Sequence, residues 1–328
     1  MGRGLCMMRY ARQQLVFGAE GQARIAQARV LVIGAGGLGA PVLSYLAGAG
    51  VGSIDIVDPD VVSLSNLHRQ TLFSTETLGL SKASAATEVL SRLNPDIRIR
   101  SHTMMFDPST GPHLVGESDL VLDCADSFAA SFTASDLCQD LNTPLISASV
   151  LQQAGYVCGV CAGAPSLRAI FPDPPETAAN CASAGVSGPV VGMIGSAQAQ
   201  MALAHLTGQG ENPLGLMVTL DAETWHMSRF RFDRAAEPRR KLKFVAPSDL
   251  QVDDLIFELR SEEEAPTPIS PTARRLMPND PLPKLRSEQR IVLACATGLR
   301  AWRMGQRLSL TWPGEIVLTA AQNTEMET

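Results

Sequence analysis

Several short stretches of this chain hold side chains whose types and spacing could manage the charge of a nucleotide. Gly34-Ala35-Gly36-Gly37-Leu38-Gly39 is a glycine-rich run. Set between a strand and a helix, such a run lets backbone N–H groups approach a phosphate while the helix dipole favours negative charge. Asp58 follows Gly39 at the spacing of about 20 residues at which a carboxylate accepts hydrogen bonds from ribose hydroxyls. These features alone suit a nicotinamide or flavin enzyme as well as an ATP enzyme. The next segment, Ser63-Leu64-Ser65-Asn66-Leu67-His68-Arg69-Gln70, and then Lys82 narrow the choice. Hydride transfer builds no phosphoryl charge, whereas adenylyl transfer concentrates charge on the α-phosphorus and releases pyrophosphate. Fixed cations and magnesium answer that charge. Asp126, with Ser127 behind it, is the candidate magnesium ligand and could also cap the helix that follows.

The elements that must position these residues are legible in outline. Val30-Leu31-Val32-Ile33 is a continuous apolar run ending in glycine, as a strand buried on both faces requires. Ala40 to Ala47 has helix-compatible composition, and Ile54-Asp55-Ile56-Val57 is a second short strand ending at Asp58. Lys82 to Leu93 fits a helix that stops at Asn94-Pro95, because a residue before proline is pushed out of the helical region. Ile97 and Ile99 alternate with Arg98 and Arg100 as a half-exposed strand, and Asp119 to Asp123 is another buried one. Strands alternating with helices predict a Rossmann-like, doubly wound α/β sheet. Asp126 then falls at a strand's carboxyl end, where such sheets bind ligands. Gly155 to Cys161 reads as a further strand and Val190 to Leu206 as a long apolar helix.

Composition sets the wider bounds. The chain has 328 residues, 45% of them hydrophobic and 18% charged, which favours packed cores over disorder. A formal charge of −6 argues against a dedicated nucleic-acid binder. Seven scattered cysteines suit a reducing compartment better than a disulfide framework, and neither a signal peptide nor a spanning segment is evident. A cytoplasmic protein is therefore expected. Glu262-Glu263-Glu264 opens a stretch, 262–287, with prolines at 266, 268, 271, 278, 281 and 283, a linker or irregular crossing. Strand character resumes in Arg290-Ile291-Val292-Leu293-Ala294 and leads into Cys295. Two domains are expected, 1–245 and 246–328. The basic residues Arg229, Arg231, Arg234, Arg239, Arg240, Lys241 and Lys243 could greet an acidic partner, although a solvated face is the commoner meaning.

Taken together, Arg9-Tyr10-Ala11-Arg12-Gln13, the glycine run, Asp58, Ser63 to Gln70, Gly79-Leu80-Ser81-Lys82 and Leu122-Asp123-Cys124-Ala125-Asp126 resemble the MoeB/ThiF/HesA adenylyltransferases, relatives of ubiquitin-activating enzymes, over residues 9–230. The resemblance implies a sheet of the ubiquitin-activating-enzyme type. It implies Gly34, Gly36, Gly37 and Gly39 at the phosphates and Asp58 on the ribose. Ser65, Asn66, Leu67, His68, Arg69 and Lys82 would lie around the triphosphate, with Asp126 at the magnesium and Ser127, where relatives often have asparagine, beside the nucleotide. Arg12 resembles the arginine that reaches into the neighbouring subunit's ATP site, so a homodimer is implied. The implied reaction is ATP-dependent adenylylation of the C-terminal Gly-Gly carboxylate of a small ubiquitin-like sulfur carrier, of the molybdopterin-synthase or thiamine pathway. A nicotinamide-linked oxidoreductase and a non-catalytic carrier-binding scaffold are the alternatives.

Two cysteines are singled out by resemblance. Cys181 matches the cysteine ahead of the family's long helix, which in some relatives links covalently to the carrier. Ile291 to Ala301 resembles the persulfide loop of rhodanese domains, a strand ending in Cys-x-x-Gly-x-Arg. Cys295 would carry sulfur there, with loop amides and Arg300 favouring its thiolate, and a cysteine desulfurase is the implied donor. The module of 246–328 is short for a rhodanese. Zinc-binding members of the family carry two Cys-x-x-Cys pairs, absent here from Pro165 to Ala169 and from Arg234 to Lys243. Cys158 and Cys161 form one pair whose side chains, on a strand, would face opposite sides. No structural zinc is expected.

Overall fold

The computed structural model describes residues 9–173, 185–277, 280 and 289–321. Strand β1 (Arg29–Ile33) lies at the centre of the larger sheet because its run from Val30 has no polar face to show to water. It pairs in parallel with β2 (Ser53–Val57) on one side and β4 (Leu120–Asp123) on the other. β3 (Arg98–His102) flanks β2, and β5 (Leu145–Leu151) flanks β4. The sheet then turns antiparallel through β6 (Ala154–Val160), β7 (Leu216–Asp221) and β8 (His226–Arg231), giving the order β3-β2-β1-β4-β5-β6-β7-β8.

The pleat sorts β1 onto two cores. Val30 and Val32 face helices α1 (Ala11–Gln27), α2 (Gly39–Ala49), α3 (Lys82–Leu93) and the long α7 (Gly188–Thr207), represented by Ile25, Val42, Leu90 and Ile194. Leu31 and Ile33 face α4 (Gly111–Gly116) and α5 (Phe128–Asp140), represented by Leu114 and Phe132. Each fully buried side chain of this kind contributes roughly 1.5–3 kcal/mol. Helix α2 crosses α7 at close range: a Cβ on Gly195 would lie 2.5 Å from Pro41. Ser81 caps α3 by accepting the Ser84 N–H, and the helix ends before Asn94-Pro95 as its sequence predicts. A four-residue turn, α6 (Leu167–Ile170), lies between β6 and α7.

A second sheet, wholly parallel, has the order β11-β10-β12-β13-β9. It comprises β9 (Lys243–Phe244), β10 (Leu255–Glu258), β11 (Arg274–Arg275), β12 (Ile291–Cys295) and β13 (Ile316–Ala320). Helix α8 (Leu299–Ser309) buries Ala301, Trp302, Met304 and Leu308. Lys243 and Phe244, on the near side of the expected boundary at 245, join this second sheet by pairing with Val317 and Leu318. One apolar cluster runs from Ile33 and Phe132 to Leu293, Trp302 and Leu318, so α5 is packed between the two sheets. Among the described residues no helix is long and apolar enough to cross a membrane.

Much of the basic run is answered internally. Arg229 and Arg231 pair with Glu211, Arg231 also pairs with Asp233, Lys241 lies 3.6 Å from Glu237, and Arg240 donates to the carbonyls of Ser309 and Gly314.

Candidate nucleotide-binding site

The carboxyl ends of β1, β2 and β4 open into a cavity of about 550 Å³. β1 is the strand at which connections leave in both directions, and a crevice forms outside such a point. Its floor is the glycine turn. Gly34 has φ +96°, and a Cβ there would meet the Cys124 carbonyl at 2.7 Å. At Gly39 a Cβ would lie 2.1 Å from the Gly34 oxygen, so the turn closes only without side chains at these two positions. Gly37 faces Val191 and the stem of Arg69. Such a floor fits a phosphate chain lying against backbone.

Asp58 ties this turn to β2. Its Oδ2 accepts the Ala35 N–H at 2.7 Å and its Oδ1 the Asp60 N–H at 2.8 Å. Burial pushes its pKa up to about 6, against the opposing pull of Lys82. Lys82, itself buried at the start of α3, holds an ion pair with Asp60 at 2.8 Å. Across the floor, Asn66 accepts from Gln70 Nε2 at 2.7 Å and donates to Ser63 Oγ at 2.8 Å. Arg69 lies against His68 Nε2 at 2.8 Å.

The β4 end is braced from beneath. Asp123, fully buried, accepts from Ser147 Oγ at 2.8 Å and from the Ala125 N–H at 3.2 Å, and burial raises its pKa to about 6. Gln198 Nε2 donates to the carbonyls of Asp123 and Ile146, and its Oε1 accepts from the Cys124 thiol. This bracing presents Asp126 exposed at the cavity, while Ser127, not Asp126, takes the position at the head of α5. One exposed carboxylate fits a magnesium ion that draws its other ligands from phosphate and water.

The cavity therefore brings together Gly34, Gly36, Gly37, Asp58, Asn66, Arg69, Lys82, Asp126 and Ser127. Gly39 acts behind it through the turn. Ser65, Leu67 and His68 belong to the adjoining segment but do not line it, and Arg12 is exposed on α1, away from the cavity. Cys181 lies outside the described residues. Cys295 is not on the cavity wall: it is wholly buried in the second sheet, where its Sγ accepts the N–H groups of Gly298 at 3.2 Å and Ala301 at 3.4 Å. Arg300 is held by Glu264 and by the Leu259 carbonyl.

Sequence reasoning missed Met105, Phe106 and Asp107, which follow β3 and line the cavity; their place after a parallel strand was the available signal. It also missed Gln198, a lone amide in an apolar helix. The geometry of the Cys158–Cys161 pair needs correcting. Cys161 lies beyond the end of β6 with φ +65°, so strand alternation no longer applies, and both thiols enter one apolar cluster. Burial drives both thiol pKa values up, that of Cys161 to about 12. Among the described residues no three His, Cys, Asp or Glu side chains form a metal site.

Comparison with known proteins agrees with this geometry. Residues 10–242 match the ThiF family. The chain is 34% identical over 295 residues to the adenylyltransferase and sulfurtransferase MOCS3 of Drosophila sechellia, covering 87% of this chain and 64% of that protein. It is 42% identical over 217 residues to the adenylyltransferase and sulfurtransferase uba4 of Emericella nidulans, covering 62% of this chain and 45% of that one. The chain thus spans from under half to about two thirds of the length of these curated relatives. Among solved structures, E. coli MccB with MccA-N7isoASN superposes with a TM-score of 0.63 at 21% identity, over 69% of this chain and 73% of MccB. PaaA superposes with a TM-score of 0.60 at 21% identity, over 70% and 74%. At that identity the likeness concerns the fold alone. The glycine turn, the order of the motifs behind it and the match over residues 10–242 lead to one conclusion: the chain belongs to the ThiF family.

Proposed function

We propose that this chain uses ATP and magnesium to adenylylate the C-terminal Gly-Gly carboxylate of a ubiquitin-like sulfur carrier, releasing pyrophosphate. The observation that carries this reading is the convergence of Asp58, Asn66, Arg69, Lys82 and Asp126, from separate segments, on one cavity above the glycine turn. A carboxylate is a poor acyl donor until its oxygen belongs to a good leaving group, and AMP supplies one. The bound magnesium would neutralise phosphate charge, with Asp126 as its protein ligand.

The chain's own residues would do the rest. Asp58 accepts the ribose hydroxyls with the lone pairs that Ala35 and Asp60 leave free. Lys82 and Arg69 face the charge that builds as the carrier oxygen attacks and pyrophosphate leaves. The braced β4 loop keeps Asp126 from moving as charge shifts. Arg12, exposed on α1, would act from a second copy of the chain. A hydride-transfer enzyme has no use for Lys82 and Arg69 at this place. The relatives' second printed activity, sulfurtransferase, would rest here on Cys295. With two amides on its Sγ, Cys295 would accept sulfane sulfur from a donor persulfide, the donor leaving as a thiolate. The 1–245 and 246–328 division assigns adenylylation to the first part and this step to the second.

Carrier-dependent exchange of pyrophosphate into ATP tests the main reading. Asp126→Ala should lower exchange by about 10²–10³-fold while leaving the melting temperature unchanged, and stabilisation by ATP–magnesium but not NAD should appear in a thermal shift. Undiminished exchange in Asp126→Ala would remove that residue's role.

A further inference from the structure

The turn after Cys295 touches the nucleotide cavity's own framework. The first amides of an α-helix have no acceptor within the helix, and Ser127, at the head of α5, makes no side-chain cap. The missing acceptor comes from the far end of the chain. The Thr297 carbonyl accepts the Ala129 N–H at 3.0 Å and the Ser127 hydroxyl at 3.3 Å. Ser127 is also a wall of the nucleotide cavity and the direct neighbour of Asp126. The C-terminal module therefore caps the helix that begins just after the candidate magnesium ligand.

The fit is close at Gly298. Gly298 has φ +87°, and a Cβ there would lie 2.7 Å from the Phe244 ring and 3.1 Å from Ala129 Cβ. Beside this contact Trp302 meets Phe132 edge-on with centroids 4.6 Å apart and lies 6.5 Å from Phe128. Phe132 is backed by Arg168, whose guanidinium lies 5.2 Å from the ring centre and pairs with Asp136 at 2.7 Å. The cavity itself extends past Phe128 and Phe132 to Phe244, Trp302 and Ala320 of the C-terminal module. Cys295, two residues before Thr297, is completely buried. Its thiol is served by two amides.

We propose that the Thr297–Gly298 turn is a working part of both sites, so that nucleotide binding and exposure of Cys295 exclude each other. With the turn docked on α5, the nucleotide cavity has its cap and its far wall, and the thiol is closed. With the turn lifted, Cys295 can meet a sulfur donor while the head of α5 loses its acceptor. A ligand that favours one state of such a pair shifts the population toward it, and the coupling is reciprocal. The adenylylation step and the recharging of Cys295 thus alternate instead of running together. This inference rests on the reading of the cavity as an ATP site.

The test uses the full chain, alkylated with N-ethylmaleimide in the presence and absence of ATP–magnesium. Cys295 modification is followed by peptide mass spectrometry, and ATP affinity is measured by calorimetry. Saturating ATP–magnesium should slow alkylation of Cys295 by about tenfold or more. Gly298→Ala, which wedges the turn from Phe244 and Ala129, should speed alkylation and weaken ATP binding by similar factors of about tenfold. Ser127→Ala should move both quantities the same way by less. Buried Cys138 and Cys158 must stay unmodified throughout, which separates lifting of the turn from unfolding. ATP that binds without changing the rate at Cys295 overturns the proposal. So does a Gly298→Ala chain that exposes Cys295 yet binds ATP as before. A chain that binds no ATP instead removes the nucleotide reading, and the coupling falls with it.

Discussion

The two ends of this molecule treat their reactive groups in opposite ways. In the first sheet the chemistry-bearing side chains stand at strand ends around an open cavity, with charged Asp126 exposed and Lys82 paired at the rim. In the second sheet Cys295 also stands at a strand end, but it is completely buried, two residues from the turn that meets α5. Both follow the rule that parallel strands place function at their carboxyl ends. What separates them is exposure: Asp126 stands open at the cavity, and Cys295 is closed off within its sheet.

The comparison can be broken hardest within the second sheet. Glu258 and Arg260 are both buried and pair at 2.7 Å, and although burial works against the Glu258 carboxylate, the Arg260 hydrogen bond holds its pKa below the usual range. Glu258→Ala removes the carboxylate paired with a buried guanidinium and should cost the C-terminal module about 3–5 kcal/mol, read from urea unfolding followed by Trp302 and Trp312 fluorescence. If both sheets lose stability together, the contact through α5 joins them into one cooperative unit.

In the first sheet the corresponding weak point is backbone. Gly39→Ala puts a Cβ against the Gly34 oxygen and should destabilise the chain by about 1–3 kcal/mol while weakening ATP binding, checked by thermal melting and calorimetry. A variant that melts and binds as the parent does would show that the turn relaxes at no cost.

The smallest effect sharpens the contrast by pH. Asp58 has its pKa raised from 3.8 to about 6 by burial. Its neutral form therefore stabilises the folded chain, fully below about 3.8, and that contribution is lost as pH rises through about 6. Ribose hydroxyls need the ionised form, so ATP affinity should move the other way, falling about fivefold between pH 6 and pH 5. In Asp58→Asn this slope should flatten; an unchanged slope would shift the titration to another group. Asp123 titrates in the same range but donates nothing to the cavity, so it affects stability and not this slope.

The sequence made the first region largely readable because its signals are local. The apolar run at Val30 to Ile33, glycines at 34 and 39, and the stop at Asn94-Pro95 each act within a few residues, and the structure places them accordingly. Cys161 was misjudged because a single residue with positive φ ends the strand's alternation. The meeting of Thr297 with Ser127 was not readable at all, since 170 positions of chain separate them. Lys243–Phe244 is a two-residue strand, too short for any periodicity, and its pairing with β13 is decided by tertiary packing.

That two-residue strand has a consequence for how such a protein can be cut and joined. It forms the outer margin of the C-terminal sheet, yet it arrives on the tail of the preceding segment. A fragment starting at 246 would leave the backbone of Val317 and Leu318 unpaired along a newly bared sheet margin, an invitation to self-association. A transplantable C-terminal piece must begin ahead of Lys243, so the unit that can be moved between proteins is longer than the unit suggested by composition.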